Sequence, residues 1–413
     1  MFDLNGAYGR RSGADPWNST NAAALLAHAA DAASRGLAAP VGWQLGNEPE
    51  DWYKRSPPLN VSGATLAADF RMLKSLLHAT PGLPQGSQVL GPDGCCEGRY
   101  ALMAEFAAHA GGALDGVTVH AYPLPYAPAC NLTHYLDKNL MLGIVVAAEA
   151  WRALAAPLLD AGVPLIQGET ATSAHGGCPG LSNTFVAGFT YMLELGALGE
   201  VRVCVCISSL VRVSCPHARS LLPSHPHPLQ LGVSQVNRQD LAGWSSEGGP
   251  SYYALLGKPG WSNGPISPHP DYFTALLWKQ LVGTAVLASA LSSGDPSVSA
   301  TVDAHVWCGT GGHPVVTYFN ANPAAVELQL PAGVPASPRT EFLLTSGAAG
   351  YDPTALTGDR IFLNGNLLSA DASGALSPPF PFPGRAVPSG GLVLPPLSYG
   401  FLVLEGAATP ACA

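Results

Sequence analysis

The chain has 413 residues, of which 11% are charged and 47% are hydrophobic. An average soluble domain carries roughly 25% charged residues, so this composition indicates a large apolar core. The 47 glycines and 38 prolines indicate many loops. The net charge of −9 argues against a nucleic-acid-binding protein, which depends on clustered Lys and Arg. No uninterrupted apolar run reaches the roughly 18 residues of a membrane span.

The first three quarters of the chain alternates predicted strands and helices, a pattern typical of an α/β protein with a parallel sheet. The predicted strands cover residues 2–5, 41–46, 88–91, 116–120, 164–168 and 233–238. The predicted helices cover residues 21–35, 65–78, 101–109, 140–155 and 184–195, with Asn183 as the N-cap of the last. Polar residues follow each strand, as the active site of a TIM barrel requires. A dinucleotide-binding sheet is disfavoured, because no Gly-x-Gly-x-x-Gly follows a strand.

Two glutamates stand at the ends of predicted strands. Glu48 follows Asn47 and precedes Pro49, which ends strand pairing, and Glu169 ends an apolar strand. Glycoside hydrolysis with retention needs two carboxyl groups about 5–5.5 Å apart. Asn47 offers an amide to a sugar hydroxyl. A single such Glu is ordinarily a surface or salt-bridged residue, but the pair favours a glycosidase.

After Gly283 the pattern changes to short, alternating strands separated by Gly, Pro, Asn and Asp. Predicted strands cover residues 300–308, 315–319, 325–330, 341–344, 360–363 and 399–404. This pattern predicts a β-sandwich. The predicted domains are therefore a catalytic domain at residues 1–290 and a β-sandwich domain at 291–413.

Several motifs together resemble glycoside hydrolase family 79, the heparanase and β-glucuronidase group. They lie at residues 43–49, 91–93, 117–120, 168–177, 182–189, 270–273 and 276–284. The resemblance runs from Phe2 to Cys412 and implies a (β/α)8 TIM barrel followed by a β-sandwich. It implies that Glu48 is the acid/base and Glu169 the nucleophile of a retaining β-glycosidase.

The same resemblance implies further site residues. His120 and Tyr122 match a His and a Tyr beside the nucleophile. Gly176 and Gly177 match a diglycine whose N–H groups bind the sugar carboxylate, and Tyr272 matches a tyrosine near that carboxylate. Cys308 and Cys412 match a disulfide of the β domain. We expect no metal, no cofactor and no obligate protein partner, and a carbohydrate substrate with a uronic acid.

The chain departs from the family at two places. Residues 2–5 match the third barrel strand, so the first two βα units, and a signal peptide with them, are expected to be missing. Residues 201–230 form an insertion whose ends suggest a retained intron. A zinc site there is an alternative, because the segment contains the ligand types Cys204, Cys206, Cys215, His217, His225 and His227. The spacing matches no known zinc finger, and an ordinary surface loop is favoured over zinc.

Sequons at Asn18, Asn60 and Asn131 predict glycosylation and favour an extracellular, cell-wall, lysosomal or vacuolar location. Peripheral association with a membrane or cell wall is left open. The family's basic heparan-binding stretches have no counterpart, so we expect a β-glucuronidase acting on a plant- or alga-like glycan or glycoside. The alternatives are a retaining glycosidase for another sugar and a catalytically inactive, carbohydrate-binding remnant.

Overall fold

The computed structural model describes residues 1–54, 58–95, 100–199, 232–243, 251–257, 267–287, 289, 291–407 and 409–412. The insertion at 201–230, with both hypotheses about it, lies outside the described residues. The chain divides into two compact units that interleave along the sequence. The first contains Met1–Ala121, Val146–Thr170 and Gly232–Asn237, and the second contains the remainder. The domain boundary at residue 290 stays a prediction.

The first unit is built on a six-stranded sheet whose strands follow chain order. The strands are β1 Phe2–Leu4, β2 Gly42–Leu45, β3 Gln88–Gly94, β4 Gly116–Ala121, β5 Leu165–Thr170 and β6 Val233–Arg238. Every pair from β1 to β5 is parallel. All four residues of β2 are buried, as expected for a parallel strand covered on both faces. The structure confirms the α/β class with a parallel sheet.

Helices connect these strands, because parallel neighbours need a crossover. They are α1 Thr20–Ser34, α2 Gly63–Ala79, α3 Tyr100–His109, α4 Lys138–Met141 and α5 Gly143–Leu159, followed by α6 Ala187–Gly199. The Ser62 side chain caps α2 by accepting the Thr65 N–H at 3.1 Å. The predicted cap of α6 is wrong. That helix begins at Ala187, and Asn183 instead accepts the Gly180 N–H within the preceding loop.

One helical stretch, Lys138–Leu159, is long and apolar enough to cross a membrane by length and composition. Its apolar sequence is interrupted by the charged residues Glu149 and Arg152 and by Pro157. Its buried residues Ala148, Trp151, Ala155 and Leu158 recur at helical spacing, while Val146 is exposed. A single buried stripe of this kind is typical of a surface helix in a globular protein.

The second unit contains a nine-stranded sheet with antiparallel pairs. Its strands are β9 Val282–Leu287, β10 Val302–Gly309, β11 Pro314–Asn320, β13 Arg339–Thr345, β14 Ile361–Leu363, β15 Asn366–Ala370, β16 Leu376–Ser377, β17 Arg385–Val387 and β19 Ser398–Val403. Two short pairs accompany it, β7 Leu256–Gly257 with β8 Ser267–Pro268, and β12 Val326–Leu328 with β18 Leu392–Leu394. One hydrophobic cluster joins Leu392 and Leu394 to Val316, Tyr318 and Leu402 of the large sheet.

The part of this unit that the structure describes also contains the helices α7 Pro270–Leu281 and α8 Pro296–Thr301. The strand predicted to begin at residue 300 therefore begins two residues later, after α8. Asp295 explains the difference, because its side chain accepts the Ser297 N–H and caps a helix that starts with Pro296.

Among the described residues of the second unit, Cys308–Cys412 and Cys130–Cys178 form disulfides. The second pair was not predicted from the sequence. It joins the loop after β4 to the loop after β5.

Candidate active site

The loop after β2 holds Glu48 in an unusual backbone conformation. Glu48 has a φ of 48°, in the left-handed region that non-glycine residues adopt at a cost of roughly 1–2 kcal/mol. Its N–H donates to the Asp93 carbonyl oxygen at 3.2 Å. The Trp52 indole N–H donates to the Asn47 carbonyl oxygen at 2.8 Å. A Cβ at Gly46 would lie 2.3 Å from the Trp52 ring, so this position requires glycine. The loop is thereby fixed by contacts on both sides of Glu48.

Glu169 lies near the end of β5, opposite His120 in the β4–β5 register. The buried Gln167 side chain donates to the Glu169 carbonyl oxygen at 2.7 Å and to the Val119 carbonyl oxygen at 3.2 Å. A Cβ at Gly168 would lie 3.0 Å from Asp93 Oδ1. Small size at Gly168 therefore allows β5 to approach the Asp93 carboxylate closely.

The two glutamates meet at His120. One carboxylate oxygen of Glu48, one of Glu169 and a ring nitrogen of His120 all lie within 4.8 Å of one another. His120 Nδ1 is 3.1 Å from Glu48 Oε1 and 3.8 Å from Glu169 Oε2. The side chains of Glu48 and Glu169 are 31% and 20% exposed, whereas that of His120 is 4% exposed. Both carboxylates are accessible to a ligand, and the imidazole lies beneath them.

Asp93 lies behind His120, and the sequence marks it both as a polar residue at a strand end and as part of a family motif. Its Oδ1 is 3.5 Å from His120 Nε2 and accepts the Gln44 amide at 2.6 Å. Its N–H donates to the Thr118 hydroxyl at 3.0 Å. The Asp93 side chain is 4% exposed. The imidazole therefore has a carboxylate on each of its two nitrogens.

The charge state of His120 follows from these neighbours. Burial lowers the pKa of the His120 imidazole, but hydrogen bonds to Asp93 and Glu48 raise it, as do the charges of Glu169 and Asp93. The net result is a pKa of about 10. His120 is an imidazolium at neutral pH, and its positive charge lies among three carboxylates.

Glu50 is a second buried acid that the sequence did not reveal. It lies in the 3₁₀-helix Pro49–Lys54 and is 6% exposed. Burial raises the pKa of its carboxyl group to about 7, with a smaller raising effect from Glu48. A Cβ at Gly94 would lie 3.1 Å from Glu50 Oε1. Nothing in the residue pattern distinguishes Glu50 from an exposed helix residue.

Glu48, His120 and Glu169 are also residue types that bind metals, at distances that fit a shared ion. A histidine that binds a metal must be neutral, so that one ring nitrogen has a free lone pair. The raised pKa of His120 opposes that state. The two accessible carboxylates also suit a sugar placed between them.

A cleft of about 390 Å³ lies beside Asn47 in the first unit. It is lined by Asp3, Leu4, Asn5, Gly6, Ala7, Tyr8, Gly46, Asn47 and Trp52. Carboxylate, amide and aromatic side chains together suit a carbohydrate, which presents hydroxyl groups and apolar ring faces.

The predicted diglycine lies in the second unit, in a turn formed by residues 174–178, which we call the diglycine turn. His175, Gly176 and Gly177 have φ values of 56°, 85° and 84°. The Gly177 N–H donates to the Ala174 carbonyl oxygen at 3.2 Å. The Tyr252 N–H donates to the Gly176 carbonyl oxygen at 2.7 Å. Successive N–H groups in such turns form concave sites for anions.

The tyrosines of the second unit differ in their neighbours. Tyr122 stacks on Tyr253, with ring centroids 6.0 Å apart, and a Cβ at Gly177 would lie 3.2 Å from the Tyr253 ring. Tyr272 packs edge-on against Phe273 at 5.7 Å. The structure thus adds Tyr252 and Tyr253 to the surroundings of the diglycine turn, which the sequence had not singled out. No signal in the sequence links these two tyrosines to a segment more than 70 residues earlier in the chain.

All three sequon asparagines are exposed, as glycan attachment requires. Asn131 also caps the 3₁₀-helix Leu132–Leu136 by accepting the Thr133 N–H at 3.0 Å.

The chain is similar in sequence to several known proteins. No family model matches it. Heparanase of Gallus gallus is 28% identical over 100% of this chain and 69% of that protein. Hyaluronoglucuronidase of Hirudo nipponia is 23% identical over 100% of this chain and 74% of that protein. Inactive heparanase-2 of Homo sapiens is 24% identical over 100% of this chain and 62% of that protein. The chain thus spans about two thirds of the length of these relatives.

Solved structures show the same type of fold. The crystal structure of an arabinofuranosidase has a TM-score of 0.59 at 10% identity, covering 98% of this chain and 75% of that chain. A 4-O-α-L-rhamnosyl-β-D-glucuronidase from Fusarium oxysporum has a TM-score of 0.57 at 16% identity, covering 93% and 74%. At these identities the likeness concerns the fold alone.

Proposed function

Because the chain belongs to the heparanase-like glycoside hydrolases of family 79, we propose that it is a retaining β-glucuronidase. Glu48 is the acid/base and Glu169 the nucleophile. The observation that carries the proposal is the pair of accessible carboxylates, with oxygens within 4.8 Å of each other. Retaining glycosidases hold their carboxyl groups about 5–5.5 Å apart, whereas inverting enzymes leave about 6.5–9.5 Å for a water molecule.

The reaction proceeds in two displacements. Glu169 forms a bond to C1 of the sugar while the bond from C1 to the leaving oxygen breaks, and Glu48 gives that oxygen its proton. Glu48 then takes a proton from water, the water oxygen bonds to C1, and Glu169 leaves as a carboxylate. The His120 imidazolium faces both glutamates and offsets the charge of Glu169 before it attacks.

The substrate is a β-glucuronide. Gly176 and Gly177 bind the uronate carboxylate, with Tyr122 and Tyr272 at the same subsite, and Asn47 binds a sugar hydroxyl. The names of the relatives support a glucuronosyl substrate. The chain has only 19 Lys and Arg residues against 28 Asp and Glu, which disfavours a heavily sulfated chain that needs several cationic partners. A plant- or alga-like glycan or glycoside is the proposed substrate class.

We assign the six-stranded sheet to a (β/α)8 barrel and the large antiparallel sheet, with β12 and β18, to a β-sandwich. Helix-linked parallel strands in chain order support the first assignment. The hydrophobic cluster between the two antiparallel sheets supports the second. The disulfides Cys130–Cys178 and Cys308–Cys412 support an oxidising location, which we place outside the cell, in the cell wall, or in a lysosome or vacuole.

The decisive experiment measures hydrolysis of 4-nitrophenyl β-D-glucuronide by the full chain and by Glu169→Gln. We expect kcat to fall on the order of 10⁴-fold, because no nucleophile remains. Asp31→Asn is the matched control, since that carboxylate is 62% exposed on α1. Undiminished hydrolysis by Glu169→Gln contradicts the proposal.

The variant Glu48→Ala tests which glutamate is the acid/base and which is the nucleophile. Azide attacks C1 without giving up a proton, so it replaces water and needs no base. We expect azide to restore turnover of the aryl glucuronide in Glu48→Ala, with β-glucuronosyl azide as the product. Restoration with an α-linked azide would instead assign the nucleophilic role to Glu48.

A second candidate is a protein that binds carbohydrate without cleaving it, because two relatives carry the name inactive heparanase-2. A third is a retaining glycosidase for another sugar, which uses the same two carboxylates. A panel of 4-nitrophenyl glucuronide, glucoside and xyloside separates them. Saturable glucuronide binding without release of nitrophenol favours the second, and faster release from the glucoside or xyloside favours the third.

A further inference from the structure

Two loops of the second unit are joined at three successive places. The loop after β4 covers residues 122–131, and the loop after β5 covers residues 171–184 and contains the diglycine turn. The Leu124 N–H donates to the Thr172 carbonyl oxygen at 3.0 Å. The rings of Tyr126 and His175 lie 4.4 Å apart. Cys130 and Cys178 form a disulfide beyond them.

The diglycine turn has a conformation that the chain does not adopt readily. His175 is a non-glycine residue in the left-handed region, which sterically disfavours residues with a Cβ. Gly176 and Gly177 continue in the same region. Glycine adopts such φ values readily, so the cost lies at His175, whose conformation persists only when its surroundings hold it in place.

A buried polar network holds the turn from one side. The Cys178 N–H donates to the Ser182 hydroxyl at 2.8 Å. That hydroxyl lies 2.6 Å from the Thr172 hydroxyl and 2.8 Å from the Tyr135 hydroxyl. The side chains of Ser182, Thr172 and Tyr135 are all buried. The backbone of Cys178 is therefore anchored inward, and its sulfur is anchored to Cys130.

The other side of the turn faces a more exposed segment. Residues 127–129 are exposed, and Tyr126 is 49% exposed. The ring contact with His175 and the disulfide link this segment to the diglycine turn. Loss of the covalent link allows the turn to populate other conformations. Apparent affinity for a ligand falls in proportion to the fraction of molecules in the competent conformation.

We propose that the Cys130–Cys178 disulfide is a specificity-determining element that holds the diglycine turn in the shape that binds a uronate carboxylate. This inference rests on the proposed function, in which Gly176 and Gly177 form the turn that binds that carboxylate. The disulfide affects only the binding of the sugar carboxylate, through the shape of the diglycine turn. It therefore affects KM for glucuronides, whereas the chemistry at C1 is unaffected.

The test compares Cys130→Ser/Cys178→Ser with Cys308→Ser/Cys412→Ser in the full chain. The second variant is a matched control, because it removes a disulfide of the same unit that joins β10 to the C-terminal residues instead of the diglycine turn. KM and kcat are measured on 4-nitrophenyl β-D-glucuronide. For the first variant we expect KM to rise about tenfold, equivalent to a weakened charge-assisted hydrogen bond, with kcat within about twofold. For the control we expect KM to stay unchanged.

The outcomes are distinct. An unchanged KM in a folded Cys130→Ser/Cys178→Ser variant overturns the inference while leaving the proposed function intact. Equal KM increases in both variants also overturn it, because they indicate general destabilisation. If wild type hydrolyses no glucuronide, the proposed function and the inference both fail. If the Cys130→Ser/Cys178→Ser variant does not fold, the folded Cys308→Ser/Cys412→Ser variant is reduced in native buffer, and KM is measured before and after reduction. A KM that reduction leaves unchanged overturns the inference.

Discussion

His120 makes its short side-chain contact with Glu48, at 3.1 Å between Nδ1 and Oε1, although Glu169 is the residue that it faces across the sheet. The β4–β5 register shifts at this point, because Val119 pairs with Gln167 and His120 with Glu169, which skips Gly168. The imidazole lies between Glu48, in the loop after β2, and Glu169, in β5. In the proposed mechanism, one cation influences both the group that gives up a proton and the group that must stay ionised.

The substitution Asp93→Asn should weaken this arrangement. An amide at this position cannot carry the negative charge that supports the imidazolium, so the pKa of His120 falls. We expect kcat/KM on an aryl glucuronide to fall about 10²-fold near neutral pH. Asp115→Asn is a suitable control, because Asp115 pairs with the partly exposed Lys74 in the same unit. Equal activity of Asp93→Asn and the control would show that Asp93 does not position His120.

The protonation of His120 can be observed directly. With a pKa of about 10, the imidazole nitrogens should give imidazolium NMR shifts throughout the range from about pH 5 to 8.5 and change only at higher pH. The folded pKa exceeds the ordinary value of 6.5, so the group stabilises the folded state fully below pH 6.5 and loses that contribution as pH rises through about 10. A midpoint near 6.5 in the folded protein would contradict this assignment.

Glu50→Gln should change stability in a pH-dependent way. The folded pKa of Glu50 is raised from 4.5 to about 7, so its contribution is fully present below pH 4.5 and lost as pH rises through 7. Ionisation of the buried carboxyl group then costs wild type up to about 3 kcal/mol. Urea unfolding should show Glu50→Gln gaining stability over wild type at about pH 8 and little or none at about pH 4.5. A difference that is independent of pH would show that packing dominates.

Removal of the Cys308–Cys412 disulfide should lower stability without changing the chemistry. The bridge closes a loop with a sequence separation of 104 residues, and such bridges contribute about 2–5 kcal/mol. We expect Cys308→Ser/Cys412→Ser to unfold at lower urea concentration, with kcat unchanged at room temperature. A variant as stable as wild type would indicate that the C-terminal strand β19 is held by sheet pairing alone.

The strands of the parallel sheet could be predicted because they follow a simple sequence pattern. The six predicted strands of the first unit agree with β1 to β6 within a few residues, since each is an apolar run closed by Gly, Pro or polar residues. Short strands such as β15 to β18 were not predicted. Segments of two to five residues carry too little periodicity, and their pairing partners decide their conformation.

The sequence alone determined that two glutamates stand at strand ends, because local residue patterns specify where strands begin and stop. Only the tertiary structure decided that His120 contacts Glu48, that Asp93 lies behind it, and that Cys130 joins Cys178. These relationships join residues 27 to 72 positions apart. They depend on strand register, bulges and loop conformation, which arise from packing across the whole unit and leave no local signal in the chain.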